Sequence, residues 1–489
     1  MRFDIPEKWD AESDVVVVGY GAAGAAAAIT AYDKGSSVTI LEKSPAGGGN
    51  TLISGGGMLC PTDMEFTKYV ETLCAGTTDQ EIIRTFVSKA MKIGDWFKSV
   101  GGDIIVLQPL KVRYVAGPLP KASFPWLPGS EFMVKIRVKE PAEEEEGYRL
   151  WKFLAGTVEK RPIKILTNTP AEDLIVNNKG EVIGVRALNA GQKMSIKAKK
   201  AVILTCGGFE RNEELKRDYL PCWPFFDFGN PGNTGDGIRM AQKVGADLWH
   251  MPATSAALGF KSPDYGAAFC VSFISERFIF VNRDGNRFLN ETGLEDHELA
   301  TRVSLFDSAR FIYPYIPAYA IFDEIGRKKA PLFEGNSGFN KTIYKWSPDN
   351  SVEIDKGWIT KGKTIGDLAR KISIDESTLV DMISKYNEYC KKGLDPEFNR
   401  SRKTLVALDT PPFYAIELYP CLCNTQGGPR RNSEARVLDP GGNPIPRLFS
   451  AGEMGSLWGF LYQGSANLSE CIVFGEIAGS NAAQEKPWD

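Results

Sequence analysis

The chain has 489 residues, 43% of them hydrophobic and 24% charged, with a formal net charge of -3. That length suits two or three packed domains, and so mild a charge excludes the basic field that binds phosphate backbones, so no nucleic-acid partner is expected. The nine cysteines show neither CxxC nor CxxCH spacing, which argues against a zinc site or an attached haem and for reduced thiols in a cytoplasmic protein.

The first residues, MRFDIPEKWDAESD, show no basic segment followed by an apolar one, so no export signal is expected. From Val15 to Tyr32 the chain is uncharged for 18 residues, enough to suggest a membrane span. Its punctuation argues otherwise, and no stable membrane insertion is predicted. Val15 to Val18 read as a strand, Gly19, Gly21 and Gly24 form GxGxxG, and an Ala-rich helix starting near Ala22 and Ala23 follows. Gly19 permits the tight turn, Gly21 lets backbone approach a pyrophosphate, and Gly24 seats the helix on the sheet. A second strand, SVTILEK, brings Glu42 and Lys43 about 20 residues beyond the glycines, where a carboxylate accepts from a ribose diol. The unit binds a dinucleotide, and NAD and FAD both satisfy it.

Four later segments favour FAD. SPAGGGNTLISGGGM, 44–58, offers Gly49, Asn50, Thr51, Ser54, Gly55 and Gly56, a loop with little side chain against a flat ring. After the acidic run EPAEEEEG, read as a solvated loop, comes a hairpin pattern at 173–185 with Ala171 just before it. AKKAVILTCGGFERN, 198–212, then carries Cys206 and Gly207 at a strand end, and NPGNTGDGIRMAQKVGADL, 230–248, carries Asn233, Asp236 and Gly237 at a helix start. His250, in DLWHM, reads as a satisfied core or edge histidine. Residues 363–401 show helical periodicity, with Asp375 capping a second helix. RLFSAGEMGSLWGFLYQGSANLSECIVFGEIAGSNAA, 447–483, ends the chain as strand, glycine-rich turn and closing helix, with Gly452 and Glu453 in the turn. The first helical turn, with Ser465, Asn467 and Leu468, can aim amides at the N1 side of a flavin.

With GNRFLNE (285–291), TQGG (425–428) and AGE (451–453) added, the ordered motifs resemble those of the fumarate reductase and 3-ketosteroid dehydrogenase superfamily of flavoproteins. The resemblance implies an α/β fold: a Rossmann-like FAD-binding domain (GR2-type) of residues 1–270 and 409–489, interrupted by an inserted α+β catalytic cap of residues 271–408. It implies non-covalent FAD, because the loop at 50–52 lacks the histidine of covalent members, and it places Glu453 near the ribityl chain. Electrons would pass to or from an external carrier, since no haem or iron-sulfur ligand set is visible.

Fumarate-type members clamp dicarboxylates with histidines and arginines, but the matching places here hold Glu295, Cys423 and Tyr462. Tyrosine at that last place resembles the ketosteroid dehydrogenases. The expectation is therefore a dehydrogenase that forms or reduces the C=C bond α,β to a ketone on an apolar cyclic substrate such as a 3-ketosteroid. Tyr462, with amides near Gly464 and Ala466, would donate to the enolate oxygen. For the base, Tyr114, Tyr319 and its neighbours Tyr313 and Tyr315, or the carboxylates Glu295 and Asp296, are candidates; Leu294 stands about where one branch of the family has its tyrosine. The rivals are an ene-reductase on an unsaturated carboxylate or enone, and a flavin-binding protein without turnover.

Overall fold

The computed structural model describes residues 5–107, 122–144, 146–271, 273, 275–292, 295–333 and 338–489. Tyr114 and Leu294 lie outside them. Alternation and burial explain the first sheet. The β-branched run in Ala11–Val18 is shielded on both faces and pairs in parallel with Val38–Leu41 and with Gln192–Leu204. Lys164–Leu166 extends the sheet on one side and Pro444–Ser450 on the other, both in parallel. The hairpin Ala171–Val176 and Val182–Asn189 joins it antiparallel to Gln192–Leu204.

The uncharged stretch that resembled a membrane span resolves into that strand, the glycine turn and a helix of 12 residues, Ala22–Asp33. Its alanines meet the closing helix Ala466–Gln484 at backbone distance, since a Cβ on Gly479 would lie 2.3 Å from the Ala27 carbonyl oxygen. Side chains that small bury little area each, so the contact depends on close approach over its whole length. Among the described residues no helix is long and apolar enough to cross a membrane. None of the nine cysteines is in a disulfide.

A second sheet is largely antiparallel and runs in the order Phe269–Cys270, Thr254–Phe260, Phe413–Thr425, Ala318–Asp323, Phe278–Val281. Its strands Thr254–Phe260 and Phe413–Thr425 fall on either side of residues 271–408. One face packs on an aromatic cluster that includes Phe269, Trp346 and Trp358, and the other on the helices Ile365–Lys371 and Glu376–Lys392. Asp375 caps the second helix by accepting the Thr378 amide at 2.8 Å, as its sequence predicts. The GNRFLNE segment is clamped from inside: Arg287 pairs with Glu291 at 2.8 Å and Asp395 at 3.0 Å, and Arg400 pairs with Glu291 at 3.1 Å. All four side chains are fully buried, so losing one partner would strand a charge. This clamp lies a few residues before Glu295 and His297 in the chain.

Candidate active site

The carboxyl ends of the parallel strands open onto one cavity of about 840 Å³, the place where α/β sheets bind ligands. Gly19 turns the chain there at φ +103°, and a Cβ on it would sit 2.4 Å from the Thr205 carbonyl oxygen. Past the end of Val38–Leu41, Glu42 accepts the Tyr20 amide at 2.9 Å and the Ser44 amide at 2.8 Å. Those bonds fix the carboxylate while leaving it lone pairs for a diol. Thr51 Oγ1 accepts the Ala22 amide at 3.0 Å and so ties the glycine-rich loop to the first helix. Lys43 lies 2.6 Å from Asp236, and the two charges neutralise each other at the cavity edge.

Of the residues predicted to meet the cofactor, all but Gly24 and Gly237 line this cavity. Those two are packing positions. A Cβ on Gly24 would lie 2.1 Å from the Gly19 oxygen, and one on Gly237 would lie 2.5 Å from Met454 Sδ. Gly49 and Gly55 behave oppositely, for a Cβ there meets nothing within 4 Å. At the far end the amides of Ser465 and Leu468 have no hydrogen-bond partner among the described residues, and they begin a helix of 19 residues whose dipole is positive there. A fixed acid at one end, bare backbone between and free amides at the other fit FAD.

Glu453 in the wall shares its donors with Glu210, an acid buried beside it. Asn50 Nδ2 donates to Glu210 at 2.8 Å and to Glu453 at 2.9 Å, and Asn233 Nδ2 donates to the same two oxygens at 2.6 and 3.1 Å. Burial raises both carboxyls above the usual range, and like charge adds to it, from Glu210 on Glu453 and from Asp227 on Glu210. Two carboxylates held this way share a proton more readily than they ionise together.

The substrate end is assembled from distant segments. Tyr462 is buried, and its oxygen accepts the Asn467 amide at 3.2 Å, which leaves its O–H to donate. Burial raises the phenol well above the ordinary tyrosine range, so it stays neutral. His297 meets the Tyr462 ring edge-on, with centroids 4.8 Å apart. Its Nδ1 lies 3.0 Å from the Ala256 carbonyl oxygen, which can only accept, so Nδ1 carries the hydrogen. Glu295 accepts the His297 amide at 2.7 Å and the Ser123 hydroxyl at 2.9 Å. The amide of Ser123 donates to Gln463 at 3.0 Å, and Tyr69 donates to the same oxygen at 2.5 Å. Lys135 lines the wall with its ammonium pulled below the usual lysine range by burial.

Several expectations need correction. The Gly464 amide is spent on Ser123 at 3.0 Å and the Ala466 amide on the Gln463 carbonyl at 3.1 Å, so neither is free for an enolate. Tyr319 faces the cap core among Ile279, Leu368 and Phe413, away from the cavity. Tyr315 stacks on Phe288, and Tyr313 donates to the Pro221 carbonyl at 3.3 Å. Phe228 lines the cavity, and Trp458 meets the Tyr462 ring edge-on. No motif in the sequence marks His297 or Lys135, though both line the cavity. His250 is buried as expected, with Nδ1 2.6 Å from the Ser456 carbonyl oxygen and Nε2 3.0 Å from the Thr77 carbonyl oxygen, and its neutral ring donates to one of the two.

The comparisons agree with the dinucleotide end. Residues 14–468 match the FAD binding domain family, and the chain belongs to it. The urocanate reductase of Eggerthella lenta is 30% identical, over 98% of this chain and 76% of that protein. The 3-oxosteroid 1-dehydrogenase of Mycolicibacterium smegmatis is 27% identical, over 96% of this chain and 97% of that protein. A solved 3-ketosteroid Δ1-dehydrogenase of Sterolibacterium denitrificans has a similar fold, with a TM-score of 0.82 at 22% identity over 96% of this chain and 99% of that one. The chain is an FAD-dependent oxidoreductase of the superfamily that its motifs resemble.

Proposed function

From membership in the FAD-binding family as premise, we propose that the protein interconverts a ketone and its α,β-unsaturated form on an apolar cyclic substrate of the ketosteroid class. FAD, when bound, supplies hydride exchange with the β carbon. The residues from Gly19 to Ala23 and Glu42 would hold its dinucleotide end, and Ser465 and Leu468 its flavin end. Residues 271–408 would cap the substrate, and an external carrier would exchange the electrons.

One observation carries this reading. Tyr462 lines the cavity with a neutral phenol whose oxygen accepts the Asn467 amide, which leaves its O–H to donate to a carbonyl oxygen. Such a donor stabilises an enolate without placing a charge beside an apolar ring. No arginine lines the cavity among the described residues, and bringing two carboxylates there would cost several kcal/mol in unpaired desolvation.

Lys135 favours a second reading, in which a single carboxylate conjugated to the double bond finds one counter-charge, in keeping with the urocanate reductase relationship. Anaerobic titration of the reduced holoenzyme separates the two. We expect androst-4-ene-3,17-dione or cyclohex-2-enone to restore the oxidised flavin spectrum while fumarate and urocanate leave it bleached. Restoration by urocanate alone would replace the first reading with the second.

A further inference from the structure

The reaction above needs a group that exchanges a proton at the α carbon, and we propose that His297 is this catalytic residue, acting through Nε2, with Glu295 and Ser123 as its positioning residues. The proposal rests on the carbonyl-conjugated reading. Four observations support it. His297 lines the cavity beside Tyr462, the donor assigned to the carbonyl oxygen, and an α carbon is bonded to that carbonyl. The Ala256 carbonyl holds the hydrogen on Nδ1, so Nε2 is the basic nitrogen of the neutral ring. Nε2 has no hydrogen-bond partner among the described residues, the nearest carboxylate oxygen being Glu295 Oε1 at 3.9 Å. Glu295 holds the ring's backbone through the His297 amide at 2.7 Å, and Ser123 holds Glu295 at 2.9 Å.

The step balances in either direction. For desaturation the α C–H bond breaks, its proton goes to Nε2, and its electron pair becomes the new C=C bond as the β hydrogen leaves as hydride to the bound two-electron acceptor. For saturation, hydride arrives at the β carbon, the C=C pair takes the proton from Nε2, and the neutral ring is restored. Glu295 Oε1 lies 3.9 Å from Nε2, on the side where the proton is exchanged. The Ser123–Gln463–Tyr69 chain fixes Glu295 from behind, which is the arrangement of a base held by an orienting acid.

The variant His297→Asn tests this without emptying the site, because its Nδ2 can replace Nδ1 on the Ala256 carbonyl while nothing replaces Nε2. Reduced holoenzyme in D2O is given androst-4-ene-3,17-dione, and deuterium at the α carbon is read by mass spectrometry beside the rate of flavin reoxidation. We expect wild type to incorporate deuterium and His297→Asn to lose about 10²–10⁴-fold in both, with FAD absorbance and ligand-induced flavin spectral shifts retained. Free imidazole should restore part of the rate in His297→Ala. Wild-type rates in His297→Asn would overturn the proposal. If ketones leave the flavin bleached while urocanate reoxidises it, the ketone reading fails, and the same comparison run with urocanate still decides the role of His297.

Discussion

The two ends of the cavity are built on different principles. Along the cofactor wall backbone does most of the work: Gly19 bends and Glu42 is pinned by two amides at the dinucleotide end, and at the far end Ser465 and Leu468 offer amides at a helix start. At the substrate end the side chains of Lys135, His297 and Tyr462 line the cavity, and the amides of Ser123, Gly464 and Asn467 are already spent. The first end is specified by local conformation and tolerates little change, while the second is specified by long-range contacts and can be retuned residue by residue.

The comparison can be broken most severely at its first end. Gly19→Val combines a forbidden φ with a Cβ 2.4 Å from the Thr205 oxygen; it should abolish FAD binding, seen as loss of the yellow chromophore on purification. Retained stoichiometric FAD would show that the turn is not the grip. Next in size is Tyr462→Phe, which removes one donor and should lower turnover about 10²–10³-fold with FAD content unchanged. Equal rates would leave the phenol a packing residue.

A smaller effect sharpens the choice of substrate. Lys135→Met should change ketone turnover less than about 3-fold but lower any carboxylate turnover at least about 10-fold, the scale of a lost charge-assisted bond. The mildest test concerns the shared acids. Because burial raises the folded carboxyls of Glu210 and Glu453 above their unfolded values, their stability contribution is full in acid and is lost as pH rises. Thermal melts of the apoprotein should therefore fall from the acid carboxylate range toward alkaline pH, by up to about 1.4 kcal/mol per pH unit for each proton released, and Glu210→Gln should flatten that slope. An unchanged slope would mean that the pair ionises freely.

These differences also explain what was legible in the sequence. GxGxxG with Glu42 could be read because each residue acts on its near neighbours. GNRFLNE was recognisable as a motif, yet its role as a buried clamp through Asp395 and Arg400 depends on partners about a hundred residues away. Tyr319 was misplaced because alternation along a strand says that side chains change faces without saying which face meets the cavity. The amides of Gly464 and Ala466 looked free because helix starts leave amides unpaired, but Ser123, 341 positions away, takes the first, and the Gln463 carbonyl takes the second. His297 carries no motif at all; only the fold brings the Ala256 carbonyl and the Tyr462 ring to it.

The central claim is that a neutral phenol at position 462 meets a carbonyl oxygen as hydride is exchanged. Its most direct test is single-turnover reoxidation of the reduced enzyme by cyclohex-2-enone in a stopped-flow instrument, wild type beside Tyr462→Phe, with fumarate as the control. The account predicts rapid reoxidation by the enone, slowing of about 10²–10³-fold in the variant, and no reaction with fumarate. Rapid reoxidation by fumarate, or equal rates in the two proteins, would contradict it.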